Sequence, residues 1–266
     1  MMWRTSSEKY CTGILVLCLF VMVKPAEAAM NTSDKIDCEA EFVNIMEDSR
    51  YAELSSKIKH WESLRTQCSG TGIYEARLGA LYTQAGKYEV AINVVREGLE
   101  VKSDYEKDLR LVLYDIDARQ QRLRESEAQA TSLTKDFPNW NGGYVALGET
   151  LLIQGRFYEG IDNLERANSL TPNMAAYKLL AMAYYKVNRP RDSAIAMQKA
   201  LKISKDALKD TQAVCATAYS LVTIGELAAA DDLLVKHLRV QPDANNDPTY
   251  QKATAFVAKK IHESKN

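Results

Sequence analysis

The side chains that could support catalysis or metal binding are few and widely separated. The three histidines, His60, His237 and His262, lie far apart, and no short spacing places further ligands beside them. A metal site needs at least three converging ligands. The chain also lacks a P-loop, a G-x-G-x-x-G motif, an H-E-x-x-H motif and a G-x-S-x-G motif. We therefore expect a non-catalytic protein with no metal and no cofactor, although a dispersed serine and aspartate site stays open.

Composition indicates what kind of structure holds these side chains. The 266 residues are 46% hydrophobic and include only 12 glycines and 6 prolines, which excludes disordered and collagen-like chains. Glycine and proline are too sparse for the turns of a large all-β fold, so helices are expected. The net charge of −1 argues against binding to polyanions. Acidic residues flank the basic cluster at 119–124, which favours a solvated helix face over nucleic-acid binding.

The first 28 residues have the layout of a secretory signal peptide. A basic start with Arg4 and Lys9 is followed by thirteen uncharged residues from Cys11 to Val23, and Ala26-Glu27-Ala28 resembles a cleavage site. Thirteen residues are too short to span a bilayer comfortably, since about 20 are needed. We predict a signal peptide at 1–28, a linker at 29–34 and a periplasmic or secreted protein without stable membrane insertion after cleavage. An uncleaved membrane anchor is the alternative.

The remaining sequence repeats with a period of about 34 residues. Gly86, Gly155 and Gly225 are 69 and 70 residues apart, Pro138 and Pro172 are 34 apart, and Pro242 lies 70 further on. Glycine suits the position after a helix C-cap, and proline cannot continue a helix interior. Two helices of about 13 residues with tight turns fill such a unit. The period therefore predicts pairs of helices with glycine between the two helices and proline after the second. Gly142-Gly143, after Trp140, is interpreted as a flexible joint between units.

A similar short motif recurs at four places in the repeat: Leu78-Gly79-x-x-Tyr82, Leu147-Gly148-x-x-Leu151, Leu180-Ala181-x-x-Tyr184 and Thr217-Ala218-x-x-Leu221. These copies resemble tetratricopeptide repeats, although the tryptophan position of the motif holds Glu75, Tyr144, Tyr177 and Val214. The resemblance implies an all-α fold, a right-handed α-solenoid of tetratricopeptide-like helix pairs with a C-terminal capping helix. About six pairs are expected within 35–245, at 35–68, 72–105, 107–140, 141–174, 174–207 and 211–244. Residues 246–266 are expected to form the capping helix and tail.

Two cysteines of the first predicted pair could form a disulfide. Cys38 falls near the start of the first helix and Cys68 near the end of the second, and antiparallel helices bring those ends together. Export to an oxidising compartment would preserve the bond. We predict a Cys38–Cys68 disulfide, with two unrelated thiols as the alternative. Cys215 lies in an alanine-rich segment and is expected to be a small buried residue.

The resemblance also implies where a partner binds, because the first helices of such pairs line the concave side of the solenoid. The expected groove residues are Glu149, Leu152, Ile153, Lys178, Met182, Tyr185, Lys186 and Tyr219. Tyrosine and methionine suit binding surfaces, although ordinary packing between repeats would explain them as well. The lysine and asparagine clamp for a terminal carboxylate is not matched, since Ala76, Ala80, Leu111 and Asp115 hold its positions.

We therefore predict a scaffold of the cell envelope that binds a protein or peptide partner. The resemblance to exported proteins of this architecture implies envelope assembly, secretion or pilus biogenesis. A self-assembling structural protein and an enzyme with a dispersed active site are the alternatives.

Overall fold

The computed structural model describes residues 36–265, and their regular structure is helical throughout. The predicted signal peptide and linker, 1–28 and 29–34, lie outside the described residues. The α-helices are α1 Cys38–Glu47, α2 Leu54–Ser63, α3 Arg65–Cys68, α4 Ile73–Gln84, α5 Tyr88–Leu99, α6 Glu106–Arg119, α7 Leu123–Asp136, α8 Asn141–Ile153, α9 Phe157–Leu170, α10 Met174–Lys186, α11 Pro190–Ile203, α12 Thr211–Thr223, α13 Leu227–Val240 and α14 Pro248–Lys265. The predicted all-α class is confirmed.

The chain divides into two compact units, 36–122 and 123–265. The first contains α1 to α6 and the second contains α7 to α14. The division falls between α6 and α7, inside the helix pair predicted at 107–140, which the repeat period did not indicate. In the second unit α8 packs against α9, α10 against α11 and α12 against α13.

Five tight turns between successive helices each contain one residue with a left-handed backbone: Gly86, Gln121, Gly155, Asn188 and Gly225. At Gly155, where φ is +79°, the next amide, of Arg156, donates to the carbonyl of Leu151 at 2.9 Å. This bond ends α8 by occupying a carbonyl that the helix leaves without a partner. The three glycines confirm the predicted turn positions, whereas Gln121 and Asn188 adopt the same conformation without being glycine.

The core of the first unit surrounds Trp61, which is fully buried. The Trp61 indole donates to the backbone oxygen of Tyr74 at 3.1 Å and packs edge-on against the ring of Phe42. Beside this core, Cys38 and Cys68 form the predicted disulfide, with a Cα–Cα distance of 5.9 Å. The bond joins the start of α1 to α3, so the first helix of the described chain is covalently held to its neighbours.

A group of charged side chains is also buried in the first unit. Arg77 on α4 and Asp108 on α6 are almost inaccessible to solvent, and Arg77 stacks over the ring of Phe42 at 4.8 Å. Beside them the exposed Glu39 on α1 accepts a hydrogen bond from the hydroxyl of Tyr105 at 3.2 Å. Burial raises the pKa of Asp108 to about 6, although the nearby Arg77 acts in the opposite direction.

The interpretation of Gly142-Gly143 as a flexible joint is wrong. Both glycines are buried in the first turn of α8. A Cβ atom on Gly142 would lie 2.4 Å from the ring of Trp140, and one on Gly143 would lie 3.2 Å from the backbone of Leu133 on α7. These glycines are therefore needed for close packing at the start of α8.

The last helix, α14, packs against α12 and α13. It buries Tyr250, Ala253 and Val257, and the Tyr250 hydroxyl donates to the backbone oxygen of Leu234 at 3.0 Å. Asp247 precedes the helix, and its side chain accepts a hydrogen bond from the amide of Thr249 at 2.7 Å. No helix within 36–265 combines the length and the apolar character needed to cross a membrane.

Candidate functional site: an aromatic row on the first helices of the second unit

Three aromatic rings form a row on neighbouring helices of the second unit. The rings of Tyr185 on α10 and Tyr219 on α12 are stacked, with centroids 5.8 Å apart and an interplanar angle of 22°. The ring of Phe256 on α14 lies 5.2 Å from that of Tyr219. Tyr185 is 36% exposed and Phe256 is 37% exposed, while Tyr219 between them is half-buried. We call these three residues the aromatic row.

The sequence of α12 explains why the rings meet. Except for Gln212 and Tyr219, its side chains are small or aliphatic, and residues 213–218 are all buried. Small side chains let neighbouring helices approach closely, and α12 contacts both α10 and α14. The ring of Tyr219 therefore reaches the rings on both sides. Its partial burial raises the pKa of Tyr219.

Cys215 lies on the same helix, four residues before Tyr219, and is buried as predicted. Burial raises the pKa of this thiol to about 12, which keeps it protonated and unreactive. Cys215 therefore belongs to the packing beneath the row.

Aliphatic side chains accompany the row on the preceding helices. Met182 is half-buried one turn before Tyr185 on α10. On α8, which α10 contacts, Leu152 is half-buried and Ile153 is 41% exposed. Exposed apolar side chains grouped on one side of a fold are typical of interaction sites.

Lys178 differs from the expectation that it faces a groove. It is only 4% exposed, and its ammonium forms an ion pair at 3.0 Å with Asp210, the residue before α12. The other carboxylate oxygen of Asp210 accepts from the amide of Ala213 and caps α12. A buried ammonium requires such a partner, so Lys178 holds α10 and α12 together and does not serve as a surface charge.

The two remaining residues that were expected in the groove differ in exposure. Lys186, the last residue of α10, is exposed, and Glu149 on α8 is half-buried. Sequence reasoning missed Phe256 and Lys252, because both were assigned only to a capping helix. Phe256 lies outside the buried stripe formed by Tyr250, Ala253 and Val257. Lys252 precedes Phe256 by four residues, a spacing that puts both on the same face of a helix, and this spacing could have indicated them in the sequence.

His60 and His237 contact neighbouring elements of the described chain and belong to no cluster of potential metal ligands. His60 on α2 lies 3.2 Å from Glu41 on α1 and 2.9 Å from the hydroxyl of Tyr51. His237 is fully buried, with the backbone oxygen of Leu208 2.5 Å from its Nδ1. Within 36–265 no three potential ligands converge on a metal position.

Comparison with solved structures identifies the fold. The chain resembles the crystal structure of a thermophilic TPR protein from Thermus thermophilus, with a TM-score of 0.52, 16% identity, and coverage of 72% of this chain and 99% of that one. The chain has the tetratricopeptide-repeat fold. The predicted resemblance is thus confirmed at the level of the fold.

Two further structures share this tetratricopeptide-repeat fold at low identity. PilF of Pseudomonas aeruginosa has a TM-score of 0.61 and 12% identity, covering 82% of this chain and 96% of that one. The APC/C hetero-tetramer Cut9-Hcn1 has a TM-score of 0.65 and 14% identity, covering 83% of this chain. The chain spans only 42% of the length of that structure's matched chain. No protein-family model and no curated protein sequence matches the chain.

Proposed function

We propose that this tetratricopeptide-repeat protein is a non-catalytic scaffold that binds a protein or peptide partner on the aromatic row of its second unit. The observation that carries the proposal is the partial exposure of Tyr185 and Phe256 beside the half-buried Tyr219. Covering apolar surface contributes about 25 cal/mol per Å². Phenol and hydrocarbon side chains held in rigid helices suit binding, since little side-chain freedom remains to be lost.

We place this scaffold in the periplasm or outside the cell. The signal-like residues 1–28 and the disulfide between Cys38 and Cys68 support export, since disulfides persist in oxidising compartments. The proposed role is envelope assembly, secretion or pilus biogenesis. The likeness in fold to PilF of Pseudomonas aeruginosa is compatible with this proposal.

Site-specific photo-crosslinking in the organism that encodes the chain tests the binding site. A benzoylphenylalanine probe replaces Val222, which lies on α12 one turn after Tyr219. A control probe replaces Tyr158 on α9, which is 69% exposed. We expect a crosslinked partner from position 222 that disappears in the Tyr219→Ala variant, and no such product from position 158. Equal capture at both positions, or capture unaffected by Tyr219→Ala, would contradict the proposed site.

A further inference from the structure

Charge is distributed unevenly between the helices of the second unit. The helices that carry the row and its aliphatic neighbours, α8, α10, α12 and α14, contain six lysines and two glutamates. The intervening helices α7, α9, α11 and α13 contain eight lysines and arginines against nine aspartates and glutamates. The whole chain has a net charge of −1. Taken together, the first set of helices therefore carries a net positive charge, whereas the second set does not.

Three of these six lysines already have carboxylate partners. Lys178 pairs with Asp210, and Lys259 and Lys260 both lie near Glu263, at 3.8 and 2.7 Å. Lys186 and Lys252 are exposed, and no carboxylate of the described residues lies within ion-pair distance of either. Lys186 follows Tyr185 directly, and Lys252 precedes Phe256 by one turn. Two uncompensated ammonium groups thus accompany the two outer rings of the row.

We propose that the segment bound by the aromatic row is an acidic peptide stretch in which aromatic or large aliphatic side chains alternate with aspartate or glutamate. This inference rests on the proposed binding function. The apolar side chains would cover the three rings, and the carboxylates would meet Lys186 and Lys252. Complementary charges at the rim of an interface mainly accelerate encounter and reject partners of the wrong sign. The two lysines would therefore favour acidic segments over other apolar segments that could also cover the rings.

Single-stranded nucleic acid is the other anionic ligand that rings and lysines can bind, and the geometry disfavours it. Bases stack on aromatic rings whose faces are available. Here Tyr185 and Tyr219 are already stacked on each other at 5.8 Å. Two uncompensated ammonium groups are also few for a phosphate backbone, whose binding depends on neutralising many charges.

Selection from a random peptide library tests the inference on the full chain with its disulfide intact. We expect the enriched peptides to contain aspartate or glutamate next to aromatic or large aliphatic residues. The double variant Lys186→Glu/Lys252→Glu should instead enrich peptides that contain lysine or arginine. The matched control is Lys199→Glu/Lys202→Glu on α11, which makes the same charge change on a helix outside the row. This control should enrich the same peptides as the native chain.

Fluorescence anisotropy with one enriched acidic peptide measures how much the two lysines contribute to the affinity. At low salt the Kd should rise about tenfold in Lys186→Glu/Lys252→Glu, because two exposed charge pairs are reversed. It should stay within about twofold in the control, and added salt should reduce the difference. Enriched peptides that are basic or show no charge preference would overturn the acidic assignment, as would a Kd unchanged by charge reversal.

The Tyr219→Ala variant separates this inference from the proposed function. If Tyr219→Ala abolishes peptide capture but charge reversal has no effect, the row binds a partner and its acidic character is refuted. If no peptide is enriched, or enrichment is the same with Tyr219→Ala, the proposed binding site itself fails. Labelled oligothymidine serves as a third ligand, and binding that requires Lys186 and Lys252 would assign the site to nucleic acid instead.

Discussion

The buried carboxyl of Asp108 leads to a prediction about stability and pH. Asp108 is 5% exposed, and its Oδ1 atom has no hydrogen-bond partner within the described chain. Burial raises its pKa from 3.8 to about 6, and the positive charge of Arg77 offsets only part of this effect. Burial also lowers the pKa of Arg77. The folded first unit therefore favours the neutral carboxyl and is destabilised when Asp108 ionises.

The sign and size of the effect follow from proton linkage. Between about pH 4 and pH 6 the folded chain binds a proton at Asp108 more tightly than the unfolded chain does. The contribution of Asp108 to the free energy of unfolding is therefore fully present below pH 4 and is lost as the pH rises through 6. A rise from 3.8 to about 6 corresponds to about 3 kcal/mol, since one pKa unit corresponds to 1.36 kcal/mol.

The Asp108→Asn variant isolates this contribution, because asparagine has the shape of the neutral carboxyl and does not ionise. We expect Asp108→Asn to raise the free energy of unfolding by up to about 3 kcal/mol at about pH 7.5, and to have little effect at about pH 4. The fluorescence of Trp61 reports on unfolding of the first unit in urea, since Trp61 is buried there. The protein used carries Trp140→Phe and lacks the predicted signal peptide, which contains Trp3. Asp104→Asn, an exposed change in the loop before α6, is the control and should shift neither curve.

A loss of stability in Asp108→Asn at about pH 7.5 would refute this reasoning. It would mean that the attraction between ionised Asp108 and Arg77 exceeds the cost of burying the carboxylate. An equal gain at both pH values would also contradict the reasoning, because the effect would then not depend on ionisation.

Three further outcomes follow from the structure. Cys38→Ser should lower the free energy of unfolding by about 3–4 kcal/mol in denaturant titrations. Non-reducing mass mapping of the native chain should find Cys38 linked to Cys68, and two free thiols would contradict the disulfide. Asp210→Ala should lower the free energy of unfolding by about 3–5 kcal/mol, because it leaves the buried ammonium of Lys178 unpaired and removes a helix cap. Lys178→Met should lower it by less in the same titration, and a larger loss in Lys178→Met would count against the ion-pair argument. Gly155→Ala should cost about 1–2 kcal/mol from its left-handed backbone alone, since no atom lies within 4 Å of the added Cβ; an unchanged denaturation midpoint would rule out that cost.

Much of the fold could be predicted because its causes lie close together in the sequence. The glycines at 86, 155 and 225 mark turns because the left-handed conformation is a property of single residues. The disulfide could be predicted because both cysteines fall within one predicted repeat unit, 35–68. Gln121 and Asn188 were missed because they take the same conformation without its usual residue.

Other features depend on contacts between helices and could not be predicted from the local sequence. Gly142 and Gly143 indicated flexibility in the sequence, but the ring of Trp140 and the backbone of α7 fill the space that a side chain would need. Tyr184 donates a hydrogen bond to Glu165 on the preceding helix, and Tyr82 makes the equivalent bond to Glu62. The repeat motif marks both tyrosines as packing positions, but it does not indicate their acidic partners.

The sequence by itself determined the all-α repeat, because apolar spacing and turn residues act within one or two helices. It placed Tyr185 and Tyr219 on first helices but treated Lys178 and Lys186 alike. Only the tertiary structure decided that Lys178 is neutralised by Asp210 while Lys186 stays in solvent. It likewise decided that Phe256 completes the row. The physical reason is that burial and ring stacking depend on the distance between helices more than thirty residues apart, which no local pattern specifies.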